Sequence, residues 1–178
     1  MQAAAMPLDS VPPQTETAPR WGALRIVLLI LAIVETLNAL SNVPVLFGDL
    51  SEIPGPGLGG WTIAAIIAIS PIVAITALVF ALTGRIPHAI VAIATLGLLG
   101  WLNYLPSVVL HGLEYDTSYG SLQSLVQFFV FPVLCLAAIR LALRNQRLGL
   151  ATLMAAVPTL AAVVSVITFG VAVAIYGF

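Results

Sequence analysis

Long apolar runs separated by short polar connectors set the pattern of this chain. Five runs match the roughly 20 residues that a helix needs to cross about 30 Å of hydrocarbon. They cover about Leu24–Phe47, Trp61–Leu82, Pro87–Leu110, Ser121–Leu143 and Gly149–Tyr176. Continuous helices are the default for such runs, because lipid offers backbone N–H and C=O groups no other partner. Pro87 suits the first turn of the third helix, and Ser121 suits an N-cap for the fourth. Residues 1–20 break the pattern: they are polar and Pro-rich without an apolar period, as in a disordered or extended tail. They lack the basic start of a secretory signal. The run that follows is too long for a signal h-region and has no A-x-A site, so it is read as a retained first span. The pattern predicts an all-α integral membrane protein, with a flexible cytoplasmic tail over 1–20 and one bundle of five transmembrane helices over 21–178.

Composition supports this class. Of 178 residues, 61% are hydrophobic and only 7% are charged, against about 25% charged in a soluble domain. Such a chain cannot cover a water-facing surface. The net charge of −1 comes without a basic tract, so nucleic acid is not an expected partner. One Cys excludes an intrachain disulfide and a Cys-cluster metal site.

The connectors orient the bundle. Arg20 and Arg25 precede the first span, Arg85 lies between the second and third, and Arg140, Arg144 and Arg147 border the turn from the fourth to the fifth. Asp49 and Glu52 occupy the first-to-second loop, and Glu114 and Asp116 the third-to-fourth. Five spans put every Arg on one side and both acidic loops on the other. The positive-inside rule then places the N-terminus in the cytoplasm and the C-terminus outside; the expected location is the inner (plasma) membrane of a bacterial cell. Four spans would mix basic and acidic connectors on one side. The aromatics fit the same frame, with Trp21 at the cytoplasmic interface and Trp61, Tyr104, Tyr115, Tyr119 and Tyr176 at the outer one. The stretch from Gly48 to Gly60 is dense in turn residues. It has no Lys and no P-loop spacing, so it is not a phosphate loop.

One acidic residue, Glu35, falls inside a span. A charge at mid-bilayer is unfavourable by about 2.5–3.5 kcal/mol on insertion scales. Glu35 lies about 15 Å along the helix from Arg25 at about 1.5 Å per residue, close to the midplane. Asn38 and Asn42 follow at i+3 and i+7, so a polar stripe runs from Glu35 towards the outside. It faces protein or water rather than lipid. Ser70, Thr95, Cys135 and Thr159 fall at similar depth in other spans and are candidate partners. Pro71, Pro132 and Pro158 do too; each removes a backbone hydrogen bond, exposes a carbonyl one turn earlier, and is a candidate kink beside a shared polar cavity. Arg140 is too shallow to pair directly with Glu35 and is expected to snorkel to the cytoplasmic interface.

The remaining chemistry is sparse. Ala64-x-x-x-Ala68, Ala77-x-x-x-Ala81, Gly97 and Gly100 are candidate helix-contact faces. His88 and His111 sit at opposite ends of the third span, too far apart to share a metal or haem. His111 with the acidic loops matches no metal motif. Cys135 reads as a packing residue. No cofactor, no metal site and no catalytic set is expected.

Two functions fit. One is a non-catalytic accessory or assembly subunit of a larger inner-membrane complex, whose partners are the bilayer and other membrane subunits or copies of itself. The other is a small proton-coupled transporter or channel using Glu35, which requires a cavity that reaches Glu35 from one side past Asn38 and Asn42.

Overall fold

The computed structural model of the chain describes residues 22–47, 58–112 and 118–177. They form α1 (Ala23–Ser41) with a 3-10 extension (Val43–Phe47), α2 (Leu58–Leu82), α3 (Ile86–His111), α4 (Ser118–Leu125), a π-helical turn (Val126–Val130), α5 (Phe131–Leu143) and α6 (Leu148–Tyr176). The tail, Arg20, Trp21, Tyr115 and the loop acids Asp49, Glu52, Glu114 and Asp116 lie outside the described residues.

Among the described residues, five helical stretches are long and apolar enough to cross a membrane: Ala23–Phe47, Gly60–Leu82, Ile86–Val109, Ser121–Leu143 and Leu148–Ile175. Each boundary falls within a residue or so of the one read from the sequence. Pro87 occupies the first turn of α3. Two local expectations are corrected. Ser121 is not an N-cap, because the helix already begins at Ser118. Nor are the first and fourth spans continuous α-helices: α1 ends at Ser41 and gives way past Asn42 to a 3-10 stretch, and a π turn joins α4 to α5.

Specific contacts fix the helix directions. Arg25 at the start of α1 reaches the end of α2, and Leu24 abuts Gly149 at the start of α6. Gly97 on α3 meets Cys135 of α5 and Pro158 of α6, and Gln123 of α4 donates to Ser165 of α6 at 3.3 Å. Thus α1, α3 and α6 run one way, and α2 and α4–α5 run the other. α3 is central and contacts α1, α2, α5 and α6.

The packing is inverted relative to a water-soluble bundle. Most buried positions are Ala, while large side chains such as Ile30, Leu37, Ile72, Val133, Leu153 and Phe169 are exposed. Small residues let helix backbones approach closely, and an apolar exterior suits lipid. Ala77 and Ala81 are fully buried. Ala64 is half-buried and Ala68 exposed, so that pair forms no comparable seam. The buried cluster occupies one half of the bundle: Leu28 and Ala32 of α1, Ala81 of α2, Ile90 of α3, Ala138 of α5 and Ala151 of α6 all belong to it. This half ends in the turns that carry Arg25, Arg85, Arg144 and Arg147, and we term that end the basic end. Past the Ser165 contact, residues 166–171 of α6 are all exposed.

Arg25 has a second task besides its charge. Its Nε donates to the Ala81 carbonyl at 3.1 Å, and its Nη2 donates to the Leu82 carbonyl. The last carbonyls of a helix have no partner within it, and a cation there also meets the negative end of the helix dipole. Arg25 thereby closes the C-terminus of α2 and fastens it to α1. The turn between α5 and α6 is tight, with Asn145 and Arg147 at φ of 52° and 45°; Asn tolerates this left-handed region better than Arg.

A polar cavity ending on Glu35

Glu35 sits where the alanine-rich half of the bundle gives way to a cavity of about 410 Å³. The cavity extends away from the basic end between α1, α2, α3, α6 and the π turn. Glu35 and Asn38 line it from α1, Asn42 from the cap just beyond it, Ser70 from α2, and Pro158 and Thr159 from α6. Periodicity explains the α1 contribution, since i, i+3 and i+7 share one helix face. Asn38, Asn42 and Asn103 are exposed, marking the open part of the cavity, whereas Thr159 is buried and Glu35 half-buried at its closed end.

Thr159 Oγ1 donates a hydrogen bond to Glu35 Oε1 at 2.5 Å. Asn38 lines the cavity from the next turn of α1. Asn42 Nδ2 and Ser41 Oγ both donate to the Asn38 carbonyl at 2.8 Å, satisfying a backbone acceptor at the end of α1. Among the described residues no cation forms an ion pair with Glu35. Arg140 is exposed in the last turn of α5, near the basic end.

The other polar residues singled out from the sequence divide. Ser70 lines the cavity, and its hydroxyl donates to its own helix at the Ile66 carbonyl, 2.7 Å away. Thr95, expected in the same cluster, does not line the cavity; its hydroxyl donates to the Val91 carbonyl at 2.8 Å. Such back-bonding satisfies a hydroxyl without a second helix. Cys135 is fully buried against Gly97, which also approaches Pro158, at the junction of α3, α5 and α6. A Cβ added at Gly97 would meet Cys135 Sγ at 2.7 Å, so only Gly permits this approach.

The prolines also play unequal parts. Pro158 lines the cavity itself, whereas Pro71 and Pro132 stand next to the lining residues Ser70 and Phe131. Pro132 has no N–H to offer the Phe128 carbonyl one turn earlier. Trp101 of α3 supplies one: its Nε1 donates to that carbonyl at 3.0 Å, and its ring packs 6.2 Å from the Phe128 ring. Pro132 lies just beyond the π turn, and such turns often occur at functional sites. Gln127, within the turn, faces the cavity.

Sequence reasoning missed Trp101, Asn103, Ser107 and Gln127 as lining residues, and assigned Tyr104 to the outer interface. The signal was present. Asn103 and Ser107 are spaced i, i+4 within an apolar span, and Gln127 interrupts another; polar residues there face protein or water.

Arg25, Arg85, Arg140, Arg144 and Arg147 gather at the basic end, away from the cavity. His88 lies there too, its ring 5.3 Å from Phe80. Comparison with protein-family models, with curated proteins and with solved structures finds no match to the chain.

Proposed function

We propose that this is a multi-pass protein of the bacterial inner membrane, N-terminus cytoplasmic and C-terminus outside, which takes a small polar solute from the outer side into a cavity ending on Glu35. The observation that carries this reading is the cavity itself. It reaches the one acidic residue inside the apolar spans, and neutral hydrogen-bonding side chains line its way. Pockets of a few hundred Å³ with a few convergent polar groups are the usual form of small-molecule sites. The five apolar spans support insertion, and the segregation of Arg to one end supports the orientation.

The closed, alanine-rich half separates the cavity from the basic end. That favours a carrier with a one-sided site over an open channel. Glu35 can bind and release a proton at the closed end, which is the chemistry of a proton-coupled carrier. Five spans are few for such a protein acting alone, so the reading includes self-association. The assembly role would be better served by a Glu35 sealed between helices than by one at the end of a cavity.

Reconstitution into liposomes with an internal pH dye tests the proposal. A mixture of small polar solutes added outside should change the internal pH in liposomes carrying the native protein. Glu35→Gln should insert normally and lose the response. Equal responses from native, Glu35→Gln and empty liposomes would reject it.

A further inference from the structure

The cavity is one-sided in charge. Glu35 supplies its only acidic side chain among the described residues, and no described Arg, Lys or His lines it. Its remaining polar groups are neutral, among them the amides of Asn38, Asn103 and Gln127 and the hydroxyls of Ser70, Ser107 and Thr159. Three aromatic residues, Trp101, Tyr104 and Phe131, complete the wall.

The geometry points to a small organic monocation, an amine or quaternary ammonium of a few heavy atoms with a hydrogen-bonding group of its own, as the solute this cavity takes. The inference rests on the solute-binding reading above and adds the substrate class. An anion would approach Glu35 with no compensating cation. A bare metal ion fits poorly, because about 410 Å³ far exceeds its size, and hard divalent cations gather several oxygen ligands, usually including more than one carboxylate. An organic cation matches each part of the wall. Its charged nitrogen meets Glu35, its alkyl groups meet aromatic faces that favour cations, and its polar group meets the amides. Any proton on the empty carboxyl leaves to the cavity water as the ammonium arrives, so charge balances without a further reactant.

Equilibrium dialysis of the full chain in lipid nanodiscs, with radiolabelled ethanolamine, choline, acetamide and acetate, tests this. Ethanolamine and choline should bind saturably, while acetamide and acetate should not. Glu35→Gln should weaken cation binding by about tenfold to a hundredfold. Glu35→Asp, which keeps the charge, should retain part of it and guards against misfolding of the Gln variant. Failure of both cations to bind, acetamide binding as well as ethanolamine, or unchanged cation binding in well-folded Glu35→Gln would each overturn the assignment. Thiol labelling of Asn38→Cys reads the cavity separately. Labelling without amine binding overturns the cation class alone, whereas absence of labelling overturns the cavity reading with it.

Discussion

Thr159 donates its hydroxyl to Glu35 at 2.5 Å, tying the middle of α6 to the middle of α1 at the closed end of the cavity. Interhelical hydrogen bonds of this kind contribute about 0.6 kcal/mol on average in membrane bundles, up to roughly 1.7. Thr159→Val should therefore destabilise the fold by about that amount, and Thr159→Ser should restore it. In a double-mutant cycle with Glu35→Ala, which removes the acceptor, measured by unfolding in mixed micelles, the two substitutions should couple; strict additivity would show that the contact carries no energy.

The Trp101 bond to the Phe128 carbonyl makes a different kind of prediction. Trp101→Phe keeps a ring but leaves a carbonyl that Pro132 cannot serve, which costs about 1–3 kcal/mol when such a group is buried. Pro132→Ala restores an N–H one turn on. Trp101→Phe should accordingly be milder in the Pro132→Ala background. Thermal unfolding of the four proteins checks this, and an equal loss in both backgrounds would separate Trp101 from the proline.

These two contacts mark the limit of what the sequence discloses. The five spans were legible because each ends at an Arg-bearing turn or at a loop dense in turn residues and acids, and lipid-length apolar runs admit few alternatives. Glu35, Asn38 and Asn42 were legible as one face because a single helix fixes their spacing. Relations between helices were not. Thr95 and Thr159 read as equals at similar depth, yet only Thr159 faces Glu35, because rotation of each helix about its axis is set by packing. Ala64/Ala68 and Ala77/Ala81 share one spacing, and only the second pair lies in the closed half. The π turn leaves no mark in the apolar pattern, and it changes which side of the fourth span faces the cavity.

Among the described glycines, Gly97 is the most closely packed. Gly97→Ala would press a Cβ to within 2.7 Å of Cys135 Sγ, and overpacking of this kind typically destabilises by about 1–3 kcal/mol. Shrinking the partner with Cys135→Ala should recover much of the loss. Gly100→Ala meets nothing within 4 Å and should be nearly neutral. Melting temperatures in one detergent decide among these, and similar losses at both glycines would contradict the packing.

Arg25 separates two roles that the sequence merges. Arg25→Lys keeps the positive charge, so topology reporters on the N-terminus should read unchanged. Lys cannot reproduce the fork that serves the Ala81 and Leu82 carbonyls. Stability should fall by about 1 kcal/mol, the usual worth of a net hydrogen bond. Unchanged stability would leave Arg25 only its charge.

Solvent access to Glu35 is the claim on which the functional reading depends. In a Cys135→Ala background, Asn38→Cys and Asn42→Cys should react in intact cells with a membrane-impermeant thiol reagent added outside. Ala32→Cys, in the closed half, should stay protected, and Trp61→Cys, at an exposed site, should report the upper limit of labelling. Rapid labelling at positions 38 and 42 with protection at 32 is the predicted result; protection at 38 and 42 equal to that at 32, while position 61 reacts, would contradict a cavity reaching Glu35 from outside.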